Sequence, residues 1–185
     1  MEDTKKLGLK YNRKIAVAVL IVIVIFSTWF AGSRGLENAR NDIIDIYNNG
    51  VDNDGVGIKK DLSVRISAAD KLATLAEKYT IDVSSLKNII DEIENAGNLS
   101  EVAEYNSELD VAVYEVYNAI NNSDAGEADM KSARSLYNEI SSRGNMIKND
   151  GYNTAALEFN QNTLKRFPAN IIAKLGGIDE LEIFR

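Results

Sequence analysis

Apolar residues are distributed along this chain on two scales. One stretch is continuous: IAVAVLIVIVIFSTWFAGS begins at Ile15, ends at Ser33 and holds 19 residues without a charge, bounded by Lys14 and Arg34. Beyond it, apolar positions recur every three or four residues. Ile58, Leu62, Ile66, Ala69, Leu72, Ala73 and Ala76 share one face of a predicted helix over about 58–78, and Leu86, Ile89, Ile90 and Ile93 mark a shorter one. Val102, Leu109, Val113, Val116 and Ile120 keep heptad-like spacing over 99–121, where Asn98 and Glu101 supply an N-cap and its N3 partner. Ala133, Leu136, Ile140, Ile147, Ala155, Phe159 and Thr163 carry the rhythm over about 127–166, with Asp124 and Glu127 as a start signal and Gly144 and Gly151 as points of bending or breakage.

No stretch after residue 34 alternates apolar and polar positions long enough to predict a strand. The stripes are narrow and backed by charge, the pattern of helices that each bury one seam in an antiparallel bundle. Loops rich in Asn, Asp, Gly or Ser are predicted at 48–57, 79–84, 96–98 and 121–126. The expected fold is all-α: an N-terminal single transmembrane helix followed by an elongated antiparallel four-helix bundle. Its segments are a basic stretch over 1–14, the span over 15–33, the bundle over 34–166 and a tail over 167–185 that docks on the bundle. Residues 34–48 contain no proline, so the helix over 36–47 is expected to continue from the span.

At about 1.5 Å per residue the span covers roughly 28 Å, close to the ~30 Å hydrocarbon core of a bilayer. Ser27 and Thr28 return their hydroxyls to the helix backbone, and Trp29 lies near one end, where an interfacial indole is favoured. Lys5, Lys6, Lys10, Arg13 and Lys14 precede the span; only Arg34 and Arg40 follow at similar distance, which predicts a cytoplasmic N-terminus and an exported body. Ala31-Gly32-Ser33 resembles a signal-peptidase site, but the apolar run exceeds the ~7–15 residues of a signal peptide, which favours an anchor.

Composition narrows the chemistry. The chain has no cysteine and no histidine, which excludes thiol catalysis, disulfides, imidazole ligation and a Ser-His-Asp relay. It carries 21 Lys and Arg against 28 Asp and Glu; five basic and two acidic residues precede Arg34, leaving 16 against 26 in the body, a net −10. Such a body is repelled by nucleic acid and by anionic lipid head groups, so no nucleic-acid partner is expected. Asp52-Asn53-Asp54-Gly55-Val56-Gly57 invites a calcium reading, yet an EF-hand starting at Asp52 would need an oxygen ligand at Val56 and a glutamate at Ser63. Asp91, Glu92 and Glu94, like Glu101 and Glu104, fall off the apolar seams and read as solvated faces. No catalytic residue, cofactor or metal site is expected.

The tail holds the chain's single proline, Pro168, which disfavours helix at Phe167 and is expected to end the long helix there. Ile171, Ile172 and Leu175 then form a last apolar turn closed by Gly176-Gly177, and Ile178, Leu181, Ile183 and Phe184 tuck back onto the bundle. Upstream, Tyr152-Asn153 and Phe159-Asn160 repeat after seven residues, placing both pairs on one helical face. Two readings exist. In the favoured one the aromatics fill a core layer and the amides bind the tail's backbone; in the other the stripe takes a peptide or partner helix.

The segment YNTAALEFNQNTLKRFPANIIAKLGGIDELEIF, residues 152–184, resembles the C-terminal signature of the LemA family: Tyr-Asn, an aromatic-Asn about seven residues on, Phe-Pro, an Asn-Ile-Ala stretch, and Gly-Phe followed by an aromatic. The matching residues are Tyr152, Asn153, Phe159, Asn160, Phe167, Pro168, Asn170, Ala173, Gly176, Gly177 and Phe184. The family's usual Ile-Pro-Asn-Leu is replaced here by Ser67-Ala68-Ala69-Asp70-Lys71-Leu72, and its Gly-Phe by Gly177-Ile178. The resemblance implies one N-terminal span and a long antiparallel bundle, and no particular reaction. The function expected is a non-enzymatic, membrane-anchored envelope scaffold or interaction module, with protein partners in or near the membrane and oligomerisation open to it. The alternative is a tethered sensor or adaptor that binds a peptide or ion between its helices.

Overall fold

A computed structural model describes residues 9–51 and 55–185. Residues 1–8 of the basic segment, and the Asp52, Asn53 and Asp54 of the calcium reading, lie outside the described residues. The chain is all-α, and among the described residues no strand occurs.

Helix α1 (Leu9–Asn49) runs 41 residues without a break. Its side chains from Ile15 to Thr28 are all exposed; Trp29 is the first to be partly covered and Leu36 the first to be buried. The Thr28 hydroxyl donates to the Val24 carbonyl at 2.8 Å, which satisfies it within the helix. Among the described residues α1 alone is long and apolar enough to cross a membrane, and no residue of its apolar window is buried.

The body contains α2 (Ile58–Glu77), α3 (Ser84–Asn95), α4 (Leu99–Asn121) and α5 (Glu127–Lys148). Helices α2, α4 and α5 pack against one another, α3 closes on α4 and α2, and the polar half of α1 lies on α2. Small residues on α2 make this close: Ala68, Ala69, Ala73 and Ala76 are buried beside Leu72, with Leu86, Leu109, Val113, Ile120 and Ile140 facing them in the same core. Asn98 caps α4 as predicted, its Oδ1 accepting from Glu101 N at 2.9 Å, while Glu101 Oε2 accepts from Gly97 N at 2.8 Å. Helix α5 starts differently: its N-cap is Gly126, without a side-chain cap from Asp124.

Of the two points of bending or breakage expected over 127–166, Gly144 lies within a continuous helix and the break falls at Gly151. Helix α5 ends at Lys148, and Asp150 Oδ1 accepts from Tyr152 N at 2.8 Å, starting α6 (Tyr152–Glu158) after Gly151. A π-helical segment (Phe159–Leu164) follows directly. Apolar periodicity passes through this break; the Asp-Gly turn chemistry makes it. The helix stops at Leu164 rather than Phe167, because Pro168 has no N–H to offer the Leu164 carbonyl four residues back. Pro168 instead opens α7 (Ala169–Gly176), which Gly177 ends in the left-handed region at φ 66°. In α7 Ala169, Ile172 and Ala173 pack inward; Ile171 and Leu175, expected in the apolar turn, are exposed.

Two glycines show where backbone approach limits the fold. A Cβ on Gly57, the N-cap of α2, would lie 2.6 Å from the Tyr47 carbonyl oxygen, whereas a Cβ on Gly35 in α1 meets nothing within 4 Å. Gly57→Ala is expected to cost about 1–3 kcal/mol in denaturant unfolding of the full chain in detergent, and Gly35→Ala to be neutral or stabilising by up to about 1 kcal/mol. Equal effects of the two substitutions would contradict the packing of α1 on α2.

Candidate functional site

The C-terminal motif closes on itself. Asn160 Nδ2 donates to the Leu181 carbonyl and Asn160 Oδ1 accepts from Leu181 N, both at 2.8 Å. Asn153 repeats the pattern with Phe184: Nδ2 to the carbonyl at 2.7 Å and Oδ1 from N at 2.8 Å. Each carboxamide presents the donor and acceptor that a neighbouring strand would offer. The register follows from geometry, since seven helical residues rise about 10.5 Å and three extended residues about 10 Å, so amides seven apart meet backbone three apart.

Tyr152 adds a third tie, its hydroxyl donating to the Glu182 carbonyl at 2.7 Å. Burial, and then the Glu182 carboxylate, push the Tyr152 phenol above its ordinary range, which keeps that donor protonated. Tyr152 also meets Tyr47 of α1 edge to face at 5.4 Å. Leu181 and Phe184 are buried with Tyr152 and Phe159, and Glu182 Oε2 accepts from Leu99 N at 2.7 Å, joining the tail to the first turn of α4. The structure thus gathers Tyr152, Asn153, Phe159, Asn160 and Phe184, with Ala173 buried in α7 and Gly176 and Gly177 ending it. Phe167, Pro168 and Asn170 are exposed and stand apart; Asn170 Oδ1 only accepts from the next residue's N–H. The tail occupies both amides of the stripe, as the favoured reading expects.

A second constellation escaped sequence reasoning. Arg65 is 0% exposed and bonds Asn106 Oδ1 and the Asp110 carboxylate; one turn earlier Asp61, 2% exposed, pairs with Arg143 at 2.7 Å. Lys148 reaches Asp110 at 3.3 Å. Gly144 makes room: a Cβ there would sit 3.1 Å from the Arg65 Cζ. A cavity of about 180 Å³ adjoins the pair, lined by Asp110, Tyr137, Gly144 and Lys148. Its signal was phase. Asp61 and Arg65 lie in register with Ile58, Leu62, Ala69 and Leu72, where a charge must find a buried partner.

A groove of about 550 Å³ lies between α2 and α3. Leu62, Ile66, Ile90 and Ile93 form its floor; Asp70, Asp91 and Glu94 stand on its rim with a single Lys59. The carboxylates Asp91 and Glu94, read as solvated, are indeed exposed and border this groove. Glu101 serves the α4 cap instead. Among the described residues no cluster of three acidic side chains is arranged to hold a metal.

The chain matches no protein-family profile, no curated protein and no solved structure.

Replacing Asn160 with Ala removes both bonds to Leu181 and strands two buried backbone groups, an expected loss of about 2–4 kcal/mol with early proteolytic release of the tail. Asn162→Ala, at an exposed neighbouring position, should change neither. A tail equally protected in both variants would contradict the clasp.

Proposed function

We propose that this chain is a single-pass membrane protein of the cell envelope, a non-enzymatic scaffold whose acidic body docks a basic amphipathic segment of a protein partner near the membrane. The division of α1 carries the reading: apolar and bare over 15–28, then packed from Leu36 onward, within one helix. That bare surface suits lipid and is far larger than the isolated apolar patches of a protein facing water. The excess of Lys and Arg before the span supports a cytoplasmic N-terminus and an exported body. The likeness of residues 152–184 to the LemA signature supports the same order of span and bundle.

The groove between α2 and α3 supplies the partner's chemistry. Its apolar floor takes one face of a helix, and Asp70, Asp91 and Glu94 on a body of net −10 favour lysine and arginine beside that face. The sensor reading draws on the Arg65–Asp110 pair, whose charges a ligand could repartner, and on the unbroken α1. Its cavity of about 180 Å³ falls below the ~300 Å³ at which ligand pockets begin, so the groove is the better fit.

Protease added to right-side-out vesicles is expected to remove the body and leave the span; full protection would overturn the orientation. A photoreactive residue in place of Ser67 should crosslink a protein with a basic amphipathic segment, one at Ser132 on exposed α5 should not, and Asp91→Lys with Glu94→Lys should abolish the crosslink. Crosslinking that survives the double reversal would overturn the groove.

A further inference from the structure

We propose that the junction of α1 with α7 and the tail holds a zwitterionic phosphodiester-ammonium head group, that of a phosphatidylethanolamine-type lipid of the bilayer. The site rests on the reading of α1 as a membrane anchor. Helix α7 lies on α1 where the uncharged run ends: a Cβ on Gly32 would come within 2.6 Å of Ile172 Cδ1, and one on Gly176 within 3.2 Å of Ser33 Oγ. Phe167, Ile171 and Leu175 are 80%, 50% and 68% exposed in and beside this helix. Apolar side chains bare at the level where a span leaves the hydrocarbon suit the bilayer surface.

Beside them Ser33, Glu37 and Arg40 of α1 and Gly176, Gly177 and Asp179 of the tail enclose a recess of about 250 Å³. Two polar atoms from residues lining it, Ser33 Oγ and Arg40 Nε, are buried without a hydrogen-bond partner. Among the described residues Arg40 makes no ion pair, although Glu37 and Asp179 share the recess. Buried polar groups ordinarily find partners, so this recess is chemically incomplete.

Position and charge then select the ligand. From Ser33 to Arg40 the helix rises about 10 Å, comparable to the ~5–8 Å head-group layer outside the hydrocarbon core. A phosphodiester accepts from the Arg40 guanidinium and the Ser33 hydroxyl. The two carboxylates oppose a purely anionic ligand and favour one that brings its own ammonium to Glu37 and Asp179. A head group bearing both signs meets all four side chains.

The full-length chain is loaded into nanodiscs of phosphatidylethanolamine and phosphatidylglycerol, and the lipids it keeps on release are counted by native mass spectrometry. Wild type should prefer the ethanolamine lipid by about fivefold, the scale of an ion pair at a wet surface. Glu37→Gln with Asp179→Asn should keep lipid but lose the preference, and Arg40→Gln should lower retention of both lipids, each with unchanged helicity. A chain that enters the discs but shows no preference, or variants that retain lipid as wild type does, overturns this site alone. A chain that never enters the discs overturns the anchor and the site together. Soluble glycerophosphoethanolamine retained as firmly as the lipid overturns the bilayer as the ligand's source.

Discussion

With α1 read as a membrane anchor, one helix has to satisfy two solvents. Helix α1 leaves an apolar surface bare from Ile15 onward and, without a break, buries Leu36 in the core that α2 shares. In a hydrocarbon layer every backbone group must bond within its own helix, so the span is necessarily helical; continuing that helix into the body requires only that nothing interrupt the ladder. Gly32 and Gly35 are the weak points, each costing about 1 kcal/mol relative to alanine in a helix interior. At Gly32 the missing side chain admits Ile172 of α7, a packing return; at Gly35 nothing stands within 4 Å. The junction is therefore braced from outside by the C-terminal segment rather than stiffened by its own sequence.

That brace explains the construction of the chain's end. The segment after Pro168 has no strand to pair with and no long helix to join, yet its backbone enters the protein. Asn153 and Asn160 resolve this by serving as a discontinuous strand edge, and Leu181 and Phe184 fill the layer beneath with Tyr152 and Phe159. Through Tyr47 and Leu99 the same residues reach α1 and α4. First and last elements are thus tied at two levels, one at Gly32 near the end of the uncharged run and one about 22 Å along α1 at Tyr47.

Helices α2 and α4 were legible almost to the residue because each carries an unbroken apolar stripe, opened at Gly57 in α2 and bounded by Asn98 and Asn122 in α4. The contact of the amides with the tail was also legible, since the seven-residue repeat puts both on one face; their register against Leu181 and Phe184 was not. The break at 149–151 was legible only as one of two options at Gly144 and Gly151: apolar spacing continues through both, and at the second the Asp150 carboxylate caps Tyr152 N. Arg65 was hidden for a different reason. Charge argues for solvent one residue at a time, and only its phase with Leu62 and Ala69, together with a glycine on a distant helix, marks it as interior. The exposed Phe167, Ile171 and Leu175 reverse the same rule, because an apolar turn predicts burial and does not say in what.

The continuity of α1 is most directly tested by hydrogen exchange, followed by mass spectrometry, on the full chain in nanodiscs. The account predicts that amides over 31–47 exchange slowly as one block contiguous with the apolar stretch, including those at Gly32 and Gly35. A fast-exchanging window at 31–36 between two protected segments would reveal a hinge, and would contradict a body held rigidly on its anchor.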